Sequence, residues 1–268
     1  FKWQIGCRLV PGEVVFDWIN GSKAVARLGE TGMTGNVYCG LHEFPDMSFL
    51  LHTLRPEDVF IDIGANVGSY TILACSVVGA KGYCFEPIPS TYSRLLTNIK
   101  LNGMEDRVEA FNQGIGCEHG EMFFSSGQNC CNHALAQDEE SDNKIMVEVV
   151  TLDEAVKRNP FMVKIDVEGF ETPALQGASR ILNNKELCVV IMELNGSGAR
   201  YGFDEKAILE MMLALGFKTY SYNPFERKLY PLDGKNSAEG NTLFIRDYER
   251  VFRRFNSGPK INVHSAVI

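Results

Sequence analysis

The amino-acid sequence predicts a doubly wound α/β fold, and three observations carry that prediction. Short apolar runs at 59–63, 82–86, 108–112, 161–166 and 187–193 alternate with helical patterns near 69–78, 90–102 and 172–182. Strands covered on both faces read as continuous apolar runs rather than alternations, and these do. A glycine-containing turn, Asp62-Ile63-Gly64-Ala65-Asn66-Val67-Gly68, follows the first run, where such sheets bind ligands. After a helix over 204–215, runs at 217–222 and 242–245 read as an antiparallel pair that closes the sheet.

Three stretches surround or interrupt this pattern. Residues 1–54 read as a β-rich N-terminal extension, with strands at 13–18 and 23–28 about the Asn20-Gly21 turn and a short helix from Pro45. Residues 55–247 form the α/β domain, and 248–268 a C-terminal helical tail. Within the domain, 116–126 and 146–150 read as an antiparallel excursion. The polar stretch 127–144 between them is expected to be a mobile insertion. Thr151-Leu152-Asp153-Glu154 has the spacing of a helix cap.

The net charge of −8 over 268 residues argues against a nucleic-acid binder, because phosphate neutralisation needs excess Lys and Arg. Arg250, Arg253 and Arg254, interleaved with Tyr248, Val251, Phe252 and Phe255, read as the solvated basic face of an amphipathic helix. No apolar run approaches the roughly 20 residues of a membrane span. The first residues lack a secretory signal, although the absence of an initiator Met leaves room for a missing leader. Of the eight cysteines, Cys75, Cys84 and Cys188 sit in apolar runs and are expected to be buried thiols. Adjacent Cys130 and Cys131 read as an incidental loop pair. With Cys7, Cys39 and Cys117, none of the eight forms a C-x-x-C pair. Reduced thiols and a cytoplasmic location are the expectation.

The chemistry starts at the first βα turn. Glycine lets the backbone turn sharply and approach a ligand, and the next helix N-terminus is expected to offer free N–H groups. Nicotinamide-cofactor enzymes use a similar turn, but the spacing here is G-x-N-x-G without the third glycine of the dinucleotide pattern. The preceding Asp62 would repel a pyrophosphate and suits an ammonium group or bound water. Glu86, followed by Pro87, ends the second strand, where a carboxylate can accept from both ribose hydroxyls.

Together, 59–68, Cys84-Phe85-Glu86-Pro87-Ile88-Pro89, Asn98-Ile99-Lys100-Leu101-Asn102 and Lys164-Ile165-Asp166-Val167-Glu168-Gly169-Phe170-Glu171 resemble the FkbM-type methyltransferases over roughly residues 56–220. The last block is distinctive, and the first two are shared by many class I methyltransferases. The resemblance implies a Rossmann-like seven-stranded methyltransferase sheet, mostly parallel with a reversed last strand. It also implies S-adenosylmethionine as cofactor and methyl transfer to a hydroxyl of a sugar, glycolipid or small secondary metabolite. Carried over, Asp62, Gly64, Asn66 and Gly68 would contact the methionine part of the cofactor and Glu86 the ribose. Gln113 and Gly114 would lie beside the adenine, Ala65 and Pro87 would complete the lining, and Asp166 would face the crevice. The extension and the polar insertion, which would choose the acceptor, carry nothing diagnostic.

Transfer to an alcohol needs a proton acceptor or a metal. Asp166 or Glu168 as general base is preferred to a magnesium ion on Asp166, Glu193 and Asn195. Asp166 also fits the cap of the following helix. Strand alternation is expected to turn Lys164 away from the crevice, and His133 reads as a surface histidine rather than a lid base. The competing functions are a nicotinamide-dependent oxidoreductase and a non-catalytic domain that keeps the fold.

Overall fold

The computed structural model describes Trp3, Ile5 and residues 12–27, 32–126, 132–136, 139, 143–238 and 240–268. Cys7, Leu28, Cys130, Cys131 and most of the polar insertion lie outside the described residues.

The extension opens with the hairpin β1 (Glu13–Asp17) and β2 (Lys23–Arg27), whose turn places Asn20 and Gly21 at positive φ. Two helices follow, α1 (Gly32–Cys39) and α2 (Phe44–Thr53), so among the described residues this segment is more helical than β-stranded. Pro45 in the first turn of α2, where no backbone donor is lost, starts that helix.

The α/β domain then runs β3 (Val59–Ile63), α3 (Ser69–Ile72), β4 (Lys81–Phe85), α4 (Pro89–Leu101) and β5 (Val108–Phe111). The α3 helix continues as a π-helical stretch over Leu73–Val78. A side sheet of β6 (Gly114–Ile115), β7 (Gly120–Ser125) and β8 (Lys144–Val150) has order β6-β8-β7, with β7 antiparallel to β8 as the excursion required. The chain returns through α5 (Leu152–Ala155), where the Thr151 hydroxyl accepts from the Glu154 N–H. Next come β9 (Met162–Ile165), α6 (Glu171–Gln176), α7 (Ser179–Asn183), β10 (Val189–Glu193), α8 (Glu205–Ala214), β11 (Lys218–Asn223), β12 (Lys228–Pro231) and β13 (Asn241–Ile245). The helix expected over 172–182 is therefore two short ones. They break at Gly177, where a Cβ would lie 2.0 Å from the Gly116 carbonyl oxygen.

The main sheet has eight strands in the order β12-β11-β13-β10-β9-β3-β4-β5. Five are parallel, and β13 runs antiparallel to both β10 and β11. The expected seven strands are thus exceeded by one. The extra strand, β12, is an edge hairpin partner with three of its four residues exposed, so it shows no apolar run, and its terminal Pro231 is tolerated at an edge.

Side-chain alternation divides the core. Phe60, Cys84, Met162, Ile191 and Leu243 pack on one face with α2, α3 and the C-terminal helix. Ile61, Tyr83, Val163, Val190 and Phe244 pack on the other with α5 to α8. The tail is helical over α9 (Tyr248–Asn256) and then forms the two-stranded hairpin β14 (Asn262–Val263) and β15 (Ala266–Val267), Gly258 and Pro259 ending the helix. Val251 and Phe255 are buried and Arg253 is exposed, as an amphipathic helix requires, but the other two arginines of the basic face are turned inward. Arg254 pairs with buried Asp58 and lies 3.9 Å from the Phe161 ring centroid, and Arg250 lies 5.2 Å from the same ring. Among the described residues no helix is long and apolar enough to cross a membrane.

Candidate functional site

Parallel strands leave a crevice at their carboxyl ends, and register decides what meets there. Asp62 of β3 pairs with Lys164 of β9, and Glu193 of β10 with Asn241 of β13. Continuing each strand by two residues keeps the same face, so Gly64 and Asp166 follow Asp62 and Lys164 into the crevice. A cavity of about 340 Å³ opens there. Its lining includes Asp62, Gly64, Ala65, Asn66, Glu86, Pro87, Gln113, Gly114, Asp166, Glu168 and Glu193. Gly68 and Asn195 are not among its lining residues.

The turn after β3 is held by contacts that only glycine permits. Gly64 has φ +77°, and a Cβ there would lie 1.8 Å from the Asp166 carbonyl oxygen. Gly68 has φ +92°, with its Cβ position 2.6 Å from Leu95, so its role is to pack α3 against α4 rather than to line the cavity. The turn also spends its own donors. The Gly64 and Ala65 N–H groups bond to the Phe85 carbonyl, that of Asn66 to Glu86 Oε2 at 3.0 Å, that of Val67 to Asn66 Oδ1 at 2.8 Å, and that of Gly68 to the Ala65 carbonyl. The donors from Gly64 through Gly68 are therefore spent, because the turn closes on β4 and on itself; they precede α3, which begins at Ser69.

Acidic side chains face the cavity instead. Asp62 is buried and its Oδ2 accepts from the Thr71 hydroxyl at 2.6 Å, while burial raises its carboxyl to about 6. Burial pushes Glu86 up to about 7, against the lowering by hydrogen bonds from the Ile88 and Asn66 N–H groups. Both Glu86 oxygens keep acceptor capacity beyond these bonds. Beneath, the Phe85 and Phe111 rings stack at 4.8 Å. Gln113 donates to Glu148 at 2.8 Å near the surface.

On the β9 side, Lys164 does not turn away. Positions 164 and 166 differ by two, so both lie on one face, and Lys164 Nζ donates to Asp166 Oδ2 at 2.7 Å. The lysine is 3% exposed and its ammonium lies 4.7 Å from the Tyr70 ring centroid. Burial opposes its charge, but Asp166, Glu43 and Asp62 together hold its proton more tightly than in water. Asp166 is not the helix cap: α6 begins at Glu171 after Phe170, and Glu171 Oε1 accepts from the Gly169 N–H at 3.1 Å. Glu168 occupies the left-handed region at φ +54°, and burial, then Asp166 and Glu193, raises its carboxyl to about 7.

Of the set considered for magnesium, Asp166 and Glu193 line the cavity. Asn195 is exposed and its Oδ1 accepts from the Ser197 N–H at 2.9 Å, so the three ligands do not converge. His133, read as a surface residue, is buried at 6% exposure with Nε2 2.8 Å from Glu139 Oε1, because β7 folds the described part of the insertion back through the Phe124–Ala134 bridge. The cavity lining does not include His133.

The remaining wall comes from residues that motif reading missed. Glu43 Oε2, just before α2, accepts from the Tyr70 hydroxyl at 2.5 Å and from Asn241 Nδ2 at 2.7 Å. The same Asn241 amide lies 3.2 Å from Asp46 Oδ2, and burial raises Asp46 to about 7. Glu43 and Asn241 are 198 residues apart in sequence, and no local motif joins them. Lys164 was legible from its spacing to Asp166.

A model of the Methyltransferase FkbM domain matches residues 62–219. The hexuronic acid methyltransferase AglP of Haloferax volcanii is 27% identical over 169 residues, which cover 61% of this chain and 64% of that protein. This chain thus spans just under two thirds of the length of that relative. Among solved structures, the methyltransferase FkbM of Methylobacillus flagellatus superposes with a TM-score of 0.47 at 15% identity, over 71% of this chain and 44% of the other. An rRNA methylase of Streptococcus thermophilus superposes at 0.43 and 16% identity, over 74% and 91%.

Proposed function

The chain belongs to the FkbM methyltransferase family, and from that premise we propose that it uses S-adenosylmethionine to methylate a hydroxyl of a sugar, a glycolipid or a small secondary metabolite. The observation that carries this reading is that one cavity gathers the Asp62 turn, Glu86, Gln113 and Gly114 with the Lys164–Asp166 pair. The sugar class, but not an acidic sugar, is what we take from the name of the Haloferax volcanii relative, a hexuronic acid methyltransferase.

The residues fit an aminoacyl nucleoside. Asp62, steadied by Thr71, accepts from an ammonium group; Glu86 accepts from ribose hydroxyls; Gln113, Gly114 and Pro87 border the base. Gly64 keeps the turn low enough for all of them to share one cavity. When bound, the cofactor supplies an electrophilic methyl group on a sulfonium. The chain must then take the proton of the acceptor hydroxyl. Glu168, whose carboxyl is raised to about 7, is poised to exchange a proton at neutral pH. Asp166, tied to Lys164, places a second carboxylate beside it. In this reading residues 55–247 carry the cofactor, and residues 1–54 contribute the acceptor side through Glu43. The five described cysteines are unpaired, which suits a reducing compartment such as the cytoplasm.

Calorimetric titration with S-adenosylmethionine, S-adenosylhomocysteine and NAD tests the proposal. Saturable binding of the first two is expected, weakened at least tenfold by Glu86→Gln, a loss of about 1.4 kcal/mol. Absence of binding at about millimolar cofactor, a concentration that detects even 4 kcal/mol of affinity, or tighter binding of NAD, overturns it.

A further inference from the structure

We propose that the wall formed by Glu43, Tyr70, Lys164, Glu193 and Asn241 is the acceptor subsite, and that it takes an uncharged polyhydroxylated molecule in preference to one presenting a carboxylate. This inference rests on the assignment of the opposite half of the cavity to the cofactor.

Hydrogen-bond accounting drives it. Four of the six side-chain donors of this wall are already engaged. The Tyr70 hydroxyl serves Glu43, the Asn241 amide nitrogen serves Glu43 and Asp46, and the Lys164 ammonium serves Asp166. Its acceptors are not exhausted. A carboxylate offers about four lone-pair sites, and Glu43 accepts two described bonds at Oε2. Asn241 is 7% exposed and its Oδ1 has no partner, an unusual cost for a buried amide oxygen. A wall rich in acceptors and short of donors complements a ligand rich in O–H donors.

Charge points the same way. The described lining holds six carboxyl groups, of Glu43, Asp62, Glu86, Asp166, Glu168 and Glu193. Lys164 is the single Lys or Arg among the described lining residues, and its charge is matched by Asp166 at 2.7 Å. His42 stands exposed at the rim. A second carboxylate entering beside Glu43 and Glu193 meets like charge where water is scarce, whereas a sugar hydroxyl meets acceptors.

The test uses the full chain saturated with S-adenosylhomocysteine, with methyl β-D-glucopyranoside and sodium D-glucuronate as probes in ligand-observed NMR titrations. The glucoside is expected to saturate and the glucuronate to bind at least tenfold more weakly. Asn241→Leu is expected to weaken the glucoside at least tenfold and to leave S-adenosylhomocysteine affinity within twofold. Glu43→Gln, which preserves size and can still accept from Tyr70, is expected to narrow the preference against glucuronate at least threefold, and it decides the matter if Asn241→Leu does not fold. Glucuronate binding as tight as the glucoside overturns the inference. So does a glucoside affinity unchanged in Asn241→Leu, a preference unchanged in Glu43→Gln, or a protein that binds S-adenosylhomocysteine and neither sugar. Failure to bind S-adenosylhomocysteine removes the cofactor reading as well, so the two failures are distinguishable.

Discussion

The two walls of the cavity are built on different principles. The Asp62 side is a tight βα turn whose backbone donors are spent internally and whose shape is fixed by Gly64 meeting the Asp166 carbonyl. The Glu43 side is assembled from a helix start, two strand ends and the Tyr70 ring, joined by side-chain hydrogen bonds between distant parts of the chain. The first wall is therefore stiff through backbone sterics, and the second holds its geometry only while its charges and protons balance. A substitution on the first should act through shape, and one on the second through electrostatics.

Gly64→Ala tests the stiff wall hardest. The new Cβ would sit 1.8 Å from a carbonyl oxygen at φ +77°, so left-handed strain and overpacking add. A loss of about 4 kcal/mol in urea unfolding is expected, together with loss of cofactor binding. A loss below about 1 kcal/mol would mean the turn can yield, and the contrast between the walls would fail.

The electrostatic character of the second wall extends to the folded state as a whole. Glu86, Asp46, Glu168 and Glu171 each sit near 7, raised chiefly by burial, whereas unfolded carboxyls titrate near 4. Their folded pKa values exceed the unfolded ones, so the stabilisation from holding protons is complete below the unfolded values and is lost as pH rises through about 7. Unfolding free energy is expected to fall between pH 6.5 and 8.5 by on the order of 2 to 3 kcal/mol. This window lies above the titration of His52, which burial lowers to about 4. Asp46→Asn should flatten the profile more than any substitution at Gly64 or Gly68. A flat wild-type profile would contradict the assignment of buried acids.

Legibility in the sequence follows the same division. The turn, Glu86 and the apolar strands β3, β4 and β9 lie in contiguous runs where local sterics decide the outcome, so motif and periodicity reach them. Lys164 was misassigned by applying alternation across an odd step when its partner stands at an even one. Glu43 and Asn241 belong to packing between segments 198 residues apart, which no window of sequence contains. The edge strand β12 escaped because one exposed hairpin arm has no apolar stripe to betray it. The closure of the Gly64–Gly68 donors on Phe85, Glu86 and the turn itself is likewise a matter of tertiary contact that no local pattern states.

A milder probe compares hydrogen bonds on the two walls. Thr71→Val removes the hydroxyl that donates to buried Asp62 at 2.6 Å, leaving that carboxyl with one partner fewer at 1% exposure. The expected cost is about 1 to 2 kcal/mol, read by thermal or urea unfolding, and it should grow with pH as Asp62 gives up its proton above about 6. Tyr70→Phe removes the corresponding donor to Glu43, at 2.5 Å. It should alter sugar binding more than cofactor binding, and equal effects on both would erase the distinction between the walls.

The smallest expected effect on stability sits where the two walls meet. Glu168 holds φ +54°, a conformation that costs a non-glycine residue about 1 kcal/mol. Its carboxyl also stands within reach of the fields of Asp166 and Glu193. Glu168→Gly relieves the backbone strain and the like-charge contact, and offsets them with the greater chain entropy of glycine in the unfolded state. The net change in unfolding free energy should lie within about 1 kcal/mol of zero, with the sign favouring the variant at high pH, where the lost carboxylate would have been ionised. Methyl transfer, by contrast, should drop at least tenfold, or about 1.4 kcal/mol in barrier, if Glu168 takes the acceptor proton, and its pH dependence near 7 should vanish with it. A variant that is clearly less stable and fully active would reverse both halves of this reasoning: the strained glutamate would then be a brace for the Val167-Glu168-Gly169 turn, and the proton would have to leave by way of Asp166. A residue kept in a strained conformation without gain in stability is instead the signature of a group held for its chemistry.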